Sequence, residues 1–78
     1  MVRVEFTIEP FVEGQPGPHV RAAIEAVERL GVVVEIGPFG SDFTTSVASA
    51  AAAVAALTEA AYSNGATHVS VHLEKVAT

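Results

Sequence analysis

The stretch Pro18-His-Val-Arg-Ala-Ala-Ile-Glu-Ala-Val-Glu-Arg-Leu-Gly-Val-Val-Val-Glu-Ile36 changes its period in the middle, and that change decides the fold. Val20, Ala23, Ile24, Val27 and Leu30 recur at steps of three and four, while Arg21, Glu25, Glu28 and Arg29 take the other side. One apolar stripe at helical spacing predicts an amphipathic helix. Pro18 suits the first helical turn, and Gly31 suits the left-handed position after the last. Val32-Val-Val-Glu-Ile36 then reads as a strand of β-branched residues.

Working outward, Val2, Val4, Phe6 and Ile8 alternate with Arg3, Glu5, Thr7 and Glu9, which predicts a strand with one buried face, ended by Pro10. A Gly/Pro-rich loop, Glu13 to Pro18, leads into the helix. After Ile36, the run Gly37-Pro-Phe-Gly40 has turn chemistry, and Phe39, Ser41 and Phe43 share one parity of a third strand. Facing the helices, Phe39 and Phe43 would carry Ser41 inward with them. Thr45 or Ser46 caps a second helix, with an expected inward stripe of Val47, Ala50, Ala51, Val54, Leu57 and Ala61. Its alanine run is helix-forming and permits close packing. Asn64-Gly65 ends it, and Val69, Val71 and Leu73 alternate with His68, Ser70, His72 and Glu74 in a fourth strand. The order βαββαβ, with both helices on one face, is the α+β ferredoxin-like arrangement: a four-stranded antiparallel sheet, strand order 4-1-3-2.

A length of 78 residues indicates one domain, 1–78. Ala (14) and Val (13) dominate the apolar half, and nine acids against four bases give a net charge of −5. A chain this short buries only ~60–65% of its unfolded surface. The absence of cysteine excludes disulfides, thiolate metal sites and a cysteine nucleophile. The acidic balance argues against nucleic acid. Met1 to Glu5 lacks the apolar run of a signal peptide, and the longest apolar stretch, Ala50 to Leu57, is far short of the ~20 residues that span a bilayer. A soluble cytoplasmic protein, with no membrane partner, is expected.

Few residues point to chemistry. His68 and His72 share a strand face but lie roughly 13 Å apart at ~3.3 Å per residue, so one ion cannot take both from one chain; they read as surface or interface histidines, each able to pair with Glu5 on the neighbouring strand or across an oligomer interface, and no metal is expected. His19 reads as an exposed loop histidine. The Gly37 to Ser41 run echoes an RNA-recognition strand, but Ile36 stands where a basic residue is needed, Asp42 intrudes, and the outer face lacks stacking aromatics. Glu5 and Glu9 are four apart on a strand and too distant to act as a carboxylate pair. No nucleophile–base pair or phosphate loop is present, so a protein without enzymatic activity or cofactor is expected.

The element order, Pro10 after strand one, the run Leu-Gly-Val-Val-Val-Glu-Ile-Gly-Pro-Phe-Gly-Ser-Asp-Phe-Thr-Thr from Leu30 to Thr45, and Asn64 to Val71 resemble the thiamine-binding, YkoF-like family. Many of its members carry Gly-Pro-Met-Gly-Thr followed by Glu-Gly. Gly37, Pro38, Gly40 and Ser41 match, Phe39 takes the methionine place, and Thr44-Thr45 stand where Glu-Gly is expected. The resemblance implies binding of thiamine or its hydroxymethylpyrimidine part without transformation, and assembly as dimers or tetramers. Against such a ligand, Phe11, Phe39 or Phe43 would pack on the ring beside Gly40, and Glu35, Ser41, Asp42 or Thr44 would hydrogen-bond its amino group. The alternative is a small oligomerising regulatory module of the amino-acid-sensing type, motivated by the Gly14 to Pro18 loop, with its ligand at a subunit interface near the start of helix one.

A core of Ala and Val contributes little area per side chain at ~25 cal/mol per Å². We therefore expect a two-fold homo-oligomer that buries Val33 and part of the His68/His72 face, with the Val32–Val34 edge available for pairing.

Overall fold

The computed structural model describes residues 1–10, 17–38 and 40–76. The elements are β1 (Val2–Glu9), α1 (Pro18–Glu28), β2 (Glu35–Ile36), β3 (Ser41–Thr45), α2 (Val47–Ser63) and β4 (His68–Lys75). The sheet is antiparallel in the order β2-β3-β1-β4, and the βαββαβ arrangement is α+β and ferredoxin-like, as the sequence pattern predicts. No helix among the described residues is long and apolar enough to cross a membrane.

β1 is central and pairs on both sides. Val4 lies opposite Phe43 of β3 and Leu73 of β4, and Glu5 lies opposite Asp42 and His72. Its alternation puts Val4, Phe6 and Ile8 in the core. The Phe6 and Phe43 rings meet edge to face at 6.2 Å, a favourable quadrupole arrangement.

The helices cover this inner face. α1 contributes Ala23, Ile24 and Val27. It has no side-chain cap at Gly17; the Gly17 carbonyl accepts from Val20 and Arg21, and Pro18 occupies the first turn. Gly31, at φ 84°, takes the left-handed conformation that glycine permits after the helix. Leu30 departs from the expected stripe: the helix has ended at Glu28, the Leu30 N–H turns to the Val27 carbonyl, and the side chain is exposed.

α2 starts at Ser46, whose hydroxyl accepts from the Ser49 N–H at 3.2 Å. Its inward residues are Ala50, Ala53, Leu57 and Ala61, with Val54 half-buried. Val47 and Ala51, expected in that stripe, are exposed. Positions 50, 53, 57 and 61 follow the helical period, and in an alanine-rich helix the flanking residues are too alike for polarity to mark the face. Alanine at 50 and 53 lets α2 approach β1, β3 and β4 to within 8 Å between Cα atoms.

The strand expected over Val32–Ile36 is only Glu35–Ile36. The chain must cross from the helix layer to the sheet after Gly31, a step of roughly 10 Å that consumes about three residues. Val32 and Val34 line this crossing against the core, while Val33 points to solvent. The β2 edge is therefore too short for the edge pairing expected of Val32–Val34. Val33 also lies before β2 at one side of the sheet, whereas His68 and His72 lie on the opposite edge strand.

Leu57 is fully buried and is the largest side chain that α2 gives the core. Replacing Leu57 with Ala should cost about 3 kcal/mol, and for a domain of this size lower Tm by roughly 12–24 °C. Urea denaturation followed by circular dichroism measures the loss; a cost below about 1 kcal/mol contradicts the packing described.

Candidate functional site

The face of the sheet away from the helices has no layer over it among the described residues. Strand alternation and register place Arg3, Glu5, Thr7 and Glu9 of β1, Asp42 and Thr44 of β3, Glu35 of β2, and His68, Ser70, His72 and Glu74 of β4 there. Five carboxylates thus face one guanidinium, which concentrates most of the chain's negative charge on one side.

Arg3 is the counter-charge. Its guanidinium donates to Glu5, to Asp42 Oδ2 at 3.3 Å and to Glu74 Oε1 at 3.3 Å. Desolvation is the largest single influence on its pKa and lowers it, but Glu5, Glu74 and Asp42 together outweigh that and raise it above the ordinary value. These half-exposed pairs orient side chains more than they stabilise the fold. At the far end of β1, His68 Nδ1 lies 3.5 Å from Glu9 Oε2, and His72 stands opposite Glu5. Both histidines are exposed surface residues on separate carboxylates. Among the described residues, no group of three or more His, Asp or Glu gathers to hold a metal ion.

Between these ends lies an open groove of about 440 Å³. Its side walls carry Glu5, Thr7, Asp42, Ser70 and His72, and Gly37, Pro38 and Gly40 form its rim. Phe6, Ser41 and Val71 also border it, but their side chains point to the other face, so they offer backbone. The turn is closed by the Gly37 N–H donating to the Gly40 carbonyl at 2.7 Å. Gly40 lies against β1: a Cβ there would sit 3.0 Å from Thr7 Cγ2 and 3.2 Å from the Phe6 carbonyl oxygen. The missing side chain lets the turn press on β1 and fixes one wall of the groove.

The residues expected from the sequence divide. Gly40 and Asp42 line the groove, and Ser41 reaches it at its margin. Glu35 is on the same face, opposite Asp42. Thr44 shares that face beside Arg3 but does not line the groove. Ser41 and Phe43 both point inward, as their shared parity with the turn predicts. The Phe43 ring is consequently a core side chain, 2% exposed and packed on Phe6, and cannot stack on a ligand in the groove. Phe11 and Phe39 lie outside the described residues, as does most of the loop before α1 that motivated the amino-acid-sensing alternative.

Sequence reasoning missed Glu5, Thr7, Ser70 and His72 as groove residues. Alternation alone puts them on the outer face; only the β1–β4 register brings them beside Asp42. His19 is a second correction. It is buried rather than exposed, its Nε2–H donates to the Pro10 carbonyl at 2.6 Å, and its ring covers Gly17 so closely that a Cβ there would meet Cε1 at 2.7 Å. It ties the start of α1 to the end of β1.

No protein-family model matches this sequence, and no curated protein does. Solved structures share the fold. A domain of unknown function, DUF77, from Bacillus cereus is 17% identical with a TM-score of 0.56, covering 94% of this chain and 71% of that one. A hypothetical protein from Methanocaldococcus jannascii is 24% identical with a TM-score of 0.61, covering 94% of this chain and 75% of that one. A protein from Streptococcus pneumoniae is 17% identical with a TM-score of 0.60, covering 99% and 87%. These likenesses show the architecture.

Replacing Gly40 with Ala should destabilise the protein by about 1–3 kcal/mol, because the new methyl group overpacks β1. Thr7→Ser, which removes Cγ2, should recover part of that loss in the double variant. Thermal melts of the four proteins measure it, and an unchanged melt for Gly40→Ala contradicts the close approach.

Proposed function

We propose that this chain is a non-catalytic binding protein for thiamine, or for the hydroxymethylpyrimidine part of it, and that it self-associates as a dimer or tetramer. The observation that carries the reading is the groove at the Gly37–Gly40 turn, set in the acidic outer face of the sheet. Thiamine is a cation, and a surface of one charge sign raises the local concentration of an opposite ion. An aminopyrimidine offers an N–H₂ donor beside ring-nitrogen acceptors. Asp42 and Glu5 supply carboxylates for the donor, and Thr7 and His72 supply groups that can donate to the ring. Pro38 and the aliphatic part of Thr7 give the flat ring an apolar contact. Gly37, Pro38, Gly40 and Ser41, which match the specific motif of the family resemblance, border this same groove.

Titration calorimetry with thiamine and with hydroxymethylpyrimidine, at about 100 μM protein, tests the reading. Saturable heat with one of them is expected. Asp42→Asn should raise Kd about tenfold, the loss of one charge-assisted hydrogen bond, and raising the salt concentration should weaken thiamine binding. No heat with either compound contradicts the proposal.

A further inference from the structure

β4 is an edge strand with eight extended residues, and among the described residues no strand lies on its outer side. Its other side is fully used: each residue from His68 to Lys75 has a partner on β1. The phase of that pairing fixes which backbone groups are free. The Val76 N–H donates to the Met1 carbonyl, so positions 76, 74, 72, 70 and 68 turn their N–H and C=O toward β1. In an antiparallel ladder the alternate residues turn theirs away. Val69, Val71 and Leu73 therefore turn a row of donors and acceptors away from β1, unpaired among the described residues. A long edge of this kind, with no neighbour among the described residues, is a template for another strand.

The side chains say which strand fits. We propose that β4 pairs with β4 of a second copy of this chain, antiparallel, with Val71 on the two-fold axis, to give one continuous eight-stranded sheet. This rests on the self-association put forward above and names its interface. In this register Val69 faces the partner's Leu73, Val71 faces the partner's Val71, and Leu73 faces the partner's Val69. Each of the three pairs exchanges two main-chain hydrogen bonds. On the helix side every apolar residue meets an apolar one, and Leu73, 47% exposed in the single chain, gains a cover. On the outer side His68 faces the partner's Glu74, twice by symmetry, and Ser70 faces the partner's His72. The His68–Glu74 match makes the strand complementary to itself about Val71, which a strand built for an unrelated peptide need not be.

Neighbouring registers are poorer. Placing His72 on the axis puts Lys75 opposite Val69 and His72 opposite its own copy. Placing Ser70 on the axis sets His68 opposite His72 and shortens the apolar overlap. A shift of one residue turns the apolar side chains to the wrong face. The interface leaves Val33, on the far side of the sheet, uncovered, so it departs from the expectation that Val33 is buried by assembly.

The chain has no cysteine, so introduced thiols report pairing without background. The double variant His68→Cys/Glu74→Cys, oxidised and run without reductant, should migrate as a covalent dimer, because directly opposite residues in a non-hydrogen-bonded pair lie at about 4.5 Å between Cα atoms. The two positions are about 20 Å apart within one strand, so no internal disulfide competes. Ser70→Cys and His72→Cys alone should stay uncrosslinked; a covalent dimer from either overturns the register. Val71→Pro is the second test. Its N–H is unused within the chain, so proline is tolerated at this edge, but it removes hydrogen bonds from the interface. Light scattering should give the single-chain mass for Val71→Pro with an unchanged circular dichroism spectrum, and twice that mass for the unaltered protein. A dimer that survives Val71→Pro, with no cross-link from the double variant, overturns the β4 interface and leaves self-association standing. A monomer in the unaltered protein overturns both.

Discussion

The two-sided pairing of β1 is the constraint on which the rest of the structure depends. With β3 on one side and β4 on the other, its eight residues have no freedom of register. A slip by one residue would carry Arg3, Glu5, Thr7 and Glu9 into the helix layer and expose Val4, Phe6 and Ile8. Burying four polar or charged side chains without partners would cost far more than the few kcal/mol that hold a small domain together. The strict alternation of Val2 to Glu9 therefore fixes both the core and the chemistry of the opposite face.

From that division the functional surface follows. Two helices are enough to cover only the inner face, and α2 does so with alanines that bring it close. The outer face is left with the residues that β1 rejects from the core, joined by their cross-strand neighbours Asp42, His72 and Glu74. Arg3 bridges Glu5, Asp42 and Glu74 at one end of the face, and Glu9 and Glu35 lie outside its reach. The Gly37–Gly40 turn then adds the rim that makes an open sheet face into a groove. Because β1 is interior to the sheet, the two edges belong to β2, which is two residues long, and β4, which is eight.

Sequence patterning made β1, α1, the turn and β4 legible because each carries a strong local signal: period two, period 3.6, or glycine and proline at a bend. The failures have equally local causes. In α2 nearly every position is small and apolar, so the hydrophobic contrast that identifies a buried face is absent, and the pattern does not separate exposed Val47 and Ala51 from buried Ala50 and Ala53. Val32 to Val34 has the composition of a strand, yet its valines serve a layer crossing set by the distance between helices and sheet. His19 is buried by a contact with Pro10 across the β1–α1 connection, which no neighbouring residue announces. For the site, the turn residues and Asp42 were legible because they are contiguous. Thr7, Ser70 and His72 join them only through the β1–β4 register, a long-range property, and the parity that Phe43 shares with Ser41 turns its ring inward, away from any ligand in the groove.

The most direct test is a two-dimensional amide NMR titration of the isotope-labelled protein with thiamine. Saturable shifts at Thr7, Gly40, Asp42 and His72, with α2 residues Ala53 to Ala61 unmoved, are the result the account predicts. Shifts centred on the helix layer, or a spectrum that thiamine leaves unchanged, would contradict it.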